Sequence, residues 1–403
     1  MTPLPCLRLL FILFLVVPTS GGADTKEPSA AQRIVAVGDI HGALEPFRKI
    51  LQEAELIDPF DAWIGGDTVL VQTGDFLDRG AAALEVAELL RHLQKEAEKE
   101  GGRVVVLMGN HEALNLTMDL RDVTADIVDE LGRGRSERKQ RNHCKLLFER
   151  LRRKPDAEPL SREEHGARCR DEIPLGWLEY VETLGPDGEL GKWLRRLPVV
   201  AEIDGWLFLH GGLSEAYAQK TVEQLNDEVR EDLARFDRLR RGLLYRDLIT
   251  ESSRLREIMG VARALHKVMV DRGTPIQRPP LEDLARAGDI RAWTIYDPEG
   301  PLWFRGYARW SDEEGLERMP GILEAAGVRG IVVGHTPQKS HAITNRFNAG
   351  AWLIDTGMLH EVYGGRPAAL EIVGDRVTAL YPGAREVLRG APETVPTATN
   401  DDL

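Results

Sequence analysis

Five short motifs gather imidazole, carboxylate and amide side chains beside glycine. They are Gly38-Asp39-Ile40-His41-Gly42, Gly74-Asp75-Phe76-Leu77-Asp78-Arg79-Gly80, Gly109-Asn110-His111-Glu112, His210-Gly211-Gly212 and Gly334-His335-Thr336. Without the glycines, what remains is a set of oxygen and nitrogen donors with no thiolate, which suits hard or borderline divalent metals. Manganese, iron and zinc all fit such donors. Each piece alone is ordinary, since an aspartate in a turn usually caps backbone and a lone histidine is usually structural. Together, three aspartates and four of the chain's ten histidines fall into one repeated context, glycine-flanked turns. That joint pattern points to metal-assisted chemistry, with glycine allowing tight turns and close approach to a ligand.

The elements that must position these motifs are legible nearby. Residues Arg33–Val37, Val69–Thr73 and Val104–Met108 are short β-branched or apolar runs, each ending at a motif glycine. Helical spacing fills Leu44–Ala54 and Ala81–Lys99 between them. Strand, helix, strand, helix, strand at this spacing predicts parallel βαβ units. Val199–Ile203 and Trp206–His210 flank Asp204-Gly205, a two-residue hairpin signal. Gly330–Val333, Ala351–Ile354 and Ala368–Val373 read as further strands, the last joined through Gly374-Asp375 to Val377–Tyr381. All five motifs thus fall at the carboxyl ends of predicted strands, where α/β sheets collect ligands. Helical, charged stretches at about 119–193 and 213–297 leave and rejoin the sheet segments next to the motifs, so they are expected to cap the site. The sequence has no internal repeat.

The motif series, in this order, resembles the phosphoprotein phosphatase branch of the calcineurin-like metallophosphoesterases. The Asp78-Arg79 pair in the second motif carries that placement. Pro301-Leu302-Trp303-Phe304-Arg305-Gly306, the GHT form of the last motif, Asp355-Thr356-Gly357 and Tyr363-Gly364-Gly365 are similar to the Shewanella-like phosphatase subgroup. The resemblance covers roughly residues 33–112 and 197–381 and leaves the helical insertions unmatched. It implies an α/β fold, a four-layer αββα sandwich holding two divalent metal ions, to which the two helical insertions would add the cap. Residue by residue, it implies Asp39, His41 and Asp75 on one metal, and Asp75, Asn110, His210 and His335 on the other, with Asp75 bridging. It implies that a hydroxide shared by the metals attacks the phosphate ester directly, without a phosphoenzyme. His111 would be the general acid, Asp78 would orient it and keep it charged, and Arg79 and Arg305 would bind phosphate through their planar forks. The implied activity is a phosphomonoesterase acting on phosphorylated protein side chains, with phosphotyrosine as the suggested preference. Hydrolysis of dinucleoside polyphosphates on the same metal core is the alternative, and a metal-binding module without catalysis is a third reading. Asp67, His341 and His360 also sit near motifs and are expected to be structural or adjacent to substrate.

Composition bounds the rest. The chain has 403 residues, 42% of them hydrophobic and 29% charged, which is ample material for a core. A net charge of −13 argues against nucleic acid as a partner. Arg8, the apolar run Leu9–Val17 and the small residues Ser20–Ala23 read as a signal peptide over 1–23. That run is about half of the ~20 apolar residues a spanning helix needs, so no stable membrane anchor is expected. These features predict an exported protein, periplasmic or secreted. A linker is expected at 24–32, a phosphatase domain at 33–383 and a disordered tail at 384–403. Three cysteines are too few for a disulfide scaffold, and whether Cys144 and Cys169 meet is left open by the sequence.

Overall fold

The computed structural model describes residues 31–153, 160–273, 283–284 and 287–390. The expected signal peptide, residues 24–30 of the linker, residues 274–282 of the second insertion and residues 391–403 lie outside them.

Two sheets form the frame. The first has the order β11-β10-β9-β1-β2-β3, with β1 Arg33–Val37, β2 Val69–Gln72, β3 Arg103–Val106, β9 Ala369–Val373, β10 Arg376–Tyr381 and β11 Ala384–Arg389. β1, β2 and β3 pair in parallel, and β9 closes the other side of β1 antiparallel. The second sheet has the order β4-β5-β6-β8-β7, with β4 Val200–Ile203, β5 Trp206–Leu209, β6 Gly330–Val333, β7 Thr344–Arg346 and β8 Ala351–Leu353. β5, β6 and β8 run parallel.

The period-two alternation of strand side chains decides which core each residue joins. On β1, Ile34 and Ala36 enter the layer between the sheets, where they meet Trp206, Phe208, Val332 and Trp352. Val35 and Val37 face the other way, into the core shared with the helices. There α1 (Leu44–Glu53) and α2 (Ala83–Lys99) bury apolar stripes, Ala83, Val86, Leu90, Leu93 and Ala97 on α2 being spaced by three and four residues. Helices cover the outer faces and the sheets meet in the middle, which is the αββα sandwich.

The first insertion follows α3 (Asn110–Leu116) and contains α4 (Ala125–Asp129), α5 (Ser136–Leu151), α6 (Arg162–Glu172), α7 (Trp177–Leu184) and α8 (Glu189–Leu194). A disulfide joins Cys144 on α5 to Cys169 on α6. The second insertion contains α9 (Glu215–Ala218), α10 (Val222–Tyr245) and α11 (Leu255–Asp271). Thr221 caps α10 through a reciprocal exchange with Gln224. Beyond it come α12 (Gly306–Arg309), α13 (Asp312–Ala326) and α14 (His360–Tyr363).

One expectation is corrected. Residues 384–389 are not part of a tail: they form β11, paired antiparallel with β10 across a turn at Gly383. This stretch is charged and half-exposed because it is an edge strand, with solvent on one side. β7 carries no clear strand signal for the same reason.

Candidate metal centre

The five motifs converge as expected from their places at strand ends. Asp39, His41, Asp75, Asn110, His111, His210 and His335 are all at most 5% exposed. The local backbone is built for this crowding. A Cβ on Gly109 would lie 2.3 Å from Asp75 Oδ1, and one on Gly334 would lie 2.3 Å from Asp39 Oδ1. Only glycine lets these turns approach the carboxylates so closely. His41, Asp75, Asp78, Arg79 and His335 occupy the left-handed region, with φ between +48° and +69°. L-residues adopt it at a cost of about 1 kcal/mol or more each, and such strain gathers where a site over-determines geometry.

Donor atoms fall into two groups that share Asp75. His41, Asp75 and His111 form one, and Asp75, His210 and His335 the other, with ligand atoms inside 4.8 Å of one another in each. Asp39 stands beside both: its Oδ2 lies 4.0 Å from His41 Nε2, and its Oδ1 accepts the His335 backbone N–H at 2.9 Å. Asp75 Oδ2 sits 3.2 Å from His210 Nε2, 3.7 Å from His41 Nε2 and 3.8 Å from His111 Nε2.

Hydrogen bonds outside the centre fix the tautomers. His41 Nδ1 donates to Leu77 O at 2.9 Å and His210 Nδ1 donates to Thr73 O at 3.0 Å. Each Nε2 therefore presents a lone pair inward, the arrangement of a histidine prepared for a metal. His210 Nε2 then faces Asn110 Oδ1 at 2.9 Å, His335 Nδ1 at 3.0 Å and the Asp75 carboxylate. Nitrogen and oxygen donors packed this closely need a proton or a cation among them, and a divalent ion satisfies all of them at once.

Charge says the same. Burial, followed by the charges of Asp355 and Asp75, raises the Asp39 carboxyl well above the ordinary range. Burial opposes ionisation of Asp75, but the His210 and His111 rings, when protonated, outweigh it and hold its carboxyl well below that range, the part a bound cation would play. Burial pushes His41 down to about 3 and His335 well below its usual value, so both rings are neutral. Neutral imidazoles and crowded carboxylates are the states that bind divalent metals. The residues present fit two such ions.

His111 is placed differently from the other rings. Its Nδ1 meets Asp78 Oδ2 at 2.8 Å, and its Nε2 lies 3.1 Å from Arg79 Nη2. Burial lowers its pKa, but the Asp75 charge and the Asp78 hydrogen bond prevail and raise it to about 9. Arg79 also lies 5.3 Å over the Tyr363 ring, which stacks on His41. Arg305 is held on the opposite flank, with Nη1 donating to His335 O at 2.9 Å and to Thr336 Oγ1 at 3.0 Å. Every site residue expected from the sequence is therefore in or beside one centre. His360 instead contacts Gly365 O at 2.9 Å.

Four supporting residues carry roles that the sequence does not assign, although Glu112 and Asp355 stand inside its motifs. The buried Glu112 carboxylate accepts the backbone N–H groups of Asp75, Phe76, Leu77 and Gly109, at 2.8–3.0 Å, and so holds the loop that presents Asp75. Its place three residues after Gly109 is a capping spacing, and that signal could have found it. Asn115 donates to Asp78 Oδ1 and Tyr180 donates to Asn115 Oδ1, at 2.9 and 2.7 Å. Asn115 follows His111 by one helical turn, but Tyr180 comes from the first insertion with no local signal. Asp355 is buried against Asp39, and burial raises its carboxyl to about 6.

Residues 32–339 match the family described as calcineurin-like phosphoesterase. The chain belongs to that family. Among similar proteins is Shewanella-like protein phosphatase 2 of Arabidopsis thaliana, 36% identical over 203 residues. That match spans 49% of this chain and only about half, 51%, of the relative. Shewanella-like protein phosphatase 1 of Plasmodium berghei is 27% identical over 330 residues, 81% of this chain and 67% of that protein. The crystal structure of a cold-active protein-tyrosine phosphatase from a psychrophilic Shewanella superposes with a TM-score of 0.57 at 24% identity. It covers 89% of this chain and 80% of that one, and shows the shared fold. No helix among the described residues is long and apolar enough to cross a membrane.

Proposed function

We propose that this chain is a metal-dependent phosphomonoesterase acting on phosphorylated protein side chains, with phosphotyrosine preferred. The observation that carries the reading is the pair of donor groups sharing Asp75, with the His111–Asp78 pair and Arg79 on their rim. The family and the names of the two similar phosphatases support it. Two divalent ions, held by Asp39, His41 and Asp75 and by Asp75, Asn110, His210 and His335, would supply Lewis-acid polarisation of phosphate oxygens and an acidified water. Manganese, iron and zinc are the candidates.

The chain's own residues do the remainder. Arg79 and Arg305 approach from two sides and orient the phosphoryl group. His111 donates a proton from Nε2 to the leaving oxygen, and Asp78 stabilises the charged ring and fixes its tautomer. In this structure Nε2 faces the Arg79 Nη2 donor at 3.1 Å, and His111 carries the proton it donates once Arg79 turns to the phosphoryl group. Export to an oxidising compartment accords with the apolar N-terminal run and with the Cys144–Cys169 disulfide.

Turnover of matched phosphotyrosine, phosphoserine and phosphothreonine peptides, beside diadenosine tetraphosphate, with added Mn²⁺, tests the proposal. Faster hydrolysis of the phosphotyrosine peptide is expected. Preference for the dinucleotide would replace the reading with the nucleotide alternative, and absence of all turnover would leave a binding module.

A further inference from the structure

A cleft of about 950 Å³ opens beside the metal centre and is not used by the chemistry above. It lies between the end of the second insertion and the segment around α12. It meets the centre at Trp303, whose ring stands edge-on to His335 at 5.9 Å, and at Arg305. Its volume is at the upper end of the roughly 300–1,000 Å³ of ligand pockets. Tyr296 and Trp303 stack at 6.5 Å along one wall, and Trp310 supplies another flat surface.

The charge in this cleft runs against the charge of the whole molecule. Five arginines line it against two glutamates, Glu215 and Glu299, in a chain of net charge −13. Arg121 is neutralised by Asp119, and Arg318 by Glu314 at 3.1 Å. The exposed side chains of Arg291 and Arg309 have no ion pair or hydrogen bond among the described residues. Arg309 follows Arg305 by four residues and lines the same cleft. A second feature also calls for a ligand. Ser214 lines the cleft, is 5% exposed, and its Oγ has no hydrogen-bond partner among the described residues. Buried hydroxyls are rarely left unsatisfied. Crowded cations, an unsatisfied hydroxyl and flat aromatic walls together suit an extended peptide carrying anionic side chains.

We propose that this cleft is a docking subsite for aspartate and glutamate side chains flanking the phosphorylated residue of a protein substrate, with Arg291 and Arg309 as the guanidinium partners and Ser214 as a polar contact. The proposal rests on the phosphoprotein reading above and adds a sequence preference to it. The metal centre would take the phosphoryl group, and the arginines would select its surroundings.

The test uses the full chain, its Arg291→Glu/Arg309→Glu double variant and three substrates: p-nitrophenyl phosphate, a phosphotyrosine peptide with Asp/Glu flanks and one with Ala/Gln flanks. For the parent, kcat/KM should be higher for the acidic peptide by roughly five-fold or more, the range of a few solvent-accessible ion pairs, and the gap should shrink with salt. The variant should lose or invert the preference while turning over p-nitrophenyl phosphate as before. No preference in the parent, or a preference surviving in the variant, would overturn the subsite. Fluorescence anisotropy of the labelled peptides in EDTA reads docking without turnover, so failure of the catalytic reading is separated from failure of this one. In that assay the acidic peptide should bind the parent more tightly than the neutral one, and equal binding would overturn the proposal. Tighter competition by diadenosine tetraphosphate than by the acidic peptide would also overturn it, in favour of a nucleotide subsite.

Discussion

Asp78→Asn separates proton donation from metal binding. Both oxygens of Asp78 are committed away from the metals, Oδ2 to His111 Nδ1 at 2.8 Å and Oδ1 to Asn115 Nδ2 at 2.9 Å. The substitution preserves shape, and asparagine tolerates the left-handed backbone at this position, φ +66°. In the variant the amide oxygen accepts from Asn115, which turns the amide N–H₂ group towards His111 and removes the anionic partner. Of the influences that raise His111 to about 9, the Asp78 hydrogen bond and the Asp78 charge both vanish. If the ring returns to its ordinary 6.5, the lost preference for the charged form is roughly 3 kcal/mol at 1.36 kcal/mol per pKa unit. The sign follows from a folded-state pKa raised above the ordinary value. The protonated ring is present in both proteins below 6.5, is lost from the variant as pH rises through 6.5, and is lost from the parent only through about 9. At pH 8 the protonated fraction falls from about 90% to about 3%, an activity loss of about thirty-fold, while near pH 6 the titration costs less than two-fold. The assay is kcat against pH on phosphotyrosine peptide, with metal content measured on the same samples. Parallel pH profiles, or loss of metal from the variant, would refute the assignment of His111 and Asp78 as a donor pair.

Asp75→Asn removes the carboxylate shared by both donor groups, and breaking a buried charge set of this kind costs about 3–5 kcal/mol, so metal content after dialysis should fall for both ions. His111→Asn should retain both metals and slow phosphopeptide turnover by about 10²–10⁴-fold, with a smaller loss on an aryl phosphate whose leaving group needs little protonation. Tyr180→Phe orphans the buried Asn115 Oδ1 and should lower unfolding stability by about 1–3 kcal/mol in denaturant titration, while metal content stays unchanged. Cys144→Ser opens a bridge spanning 25 residues and should lower stability by roughly 3 kcal/mol, read by thermal or denaturant unfolding.

The first ladder of parallel strands, β1, β2 and β3, was legible because each is a short apolar run followed by a motif glycine, and buried parallel strands have little polar face to blur the pattern. Asp39, His41, Asp75, Asn110, His111, His210 and His335 were legible for a related reason. Their turns sit at strand ends, and glycine marks where backbone must pass a carboxylate. β7 and β11 were not legible, since an edge strand owes its existence to one neighbour and its exposed face reads as loop. Glu112 was half-visible through its capping distance, while Tyr180 was invisible, because a hydroxyl reaching across 65 positions leaves no local trace.

Sequence alone determined the donor chemistry and its order along the chain, because residue type and strand-end spacing are local properties. The disulfide between α5 and α6, the Tyr180–Asn115–Asp78 support of His111 and the arginine-lined cleft came only with the tertiary structure. Each depends on segments far apart in sequence whose mutual distance is set by how the two sheets and the insertions pack, a quantity that no window of residues encodes.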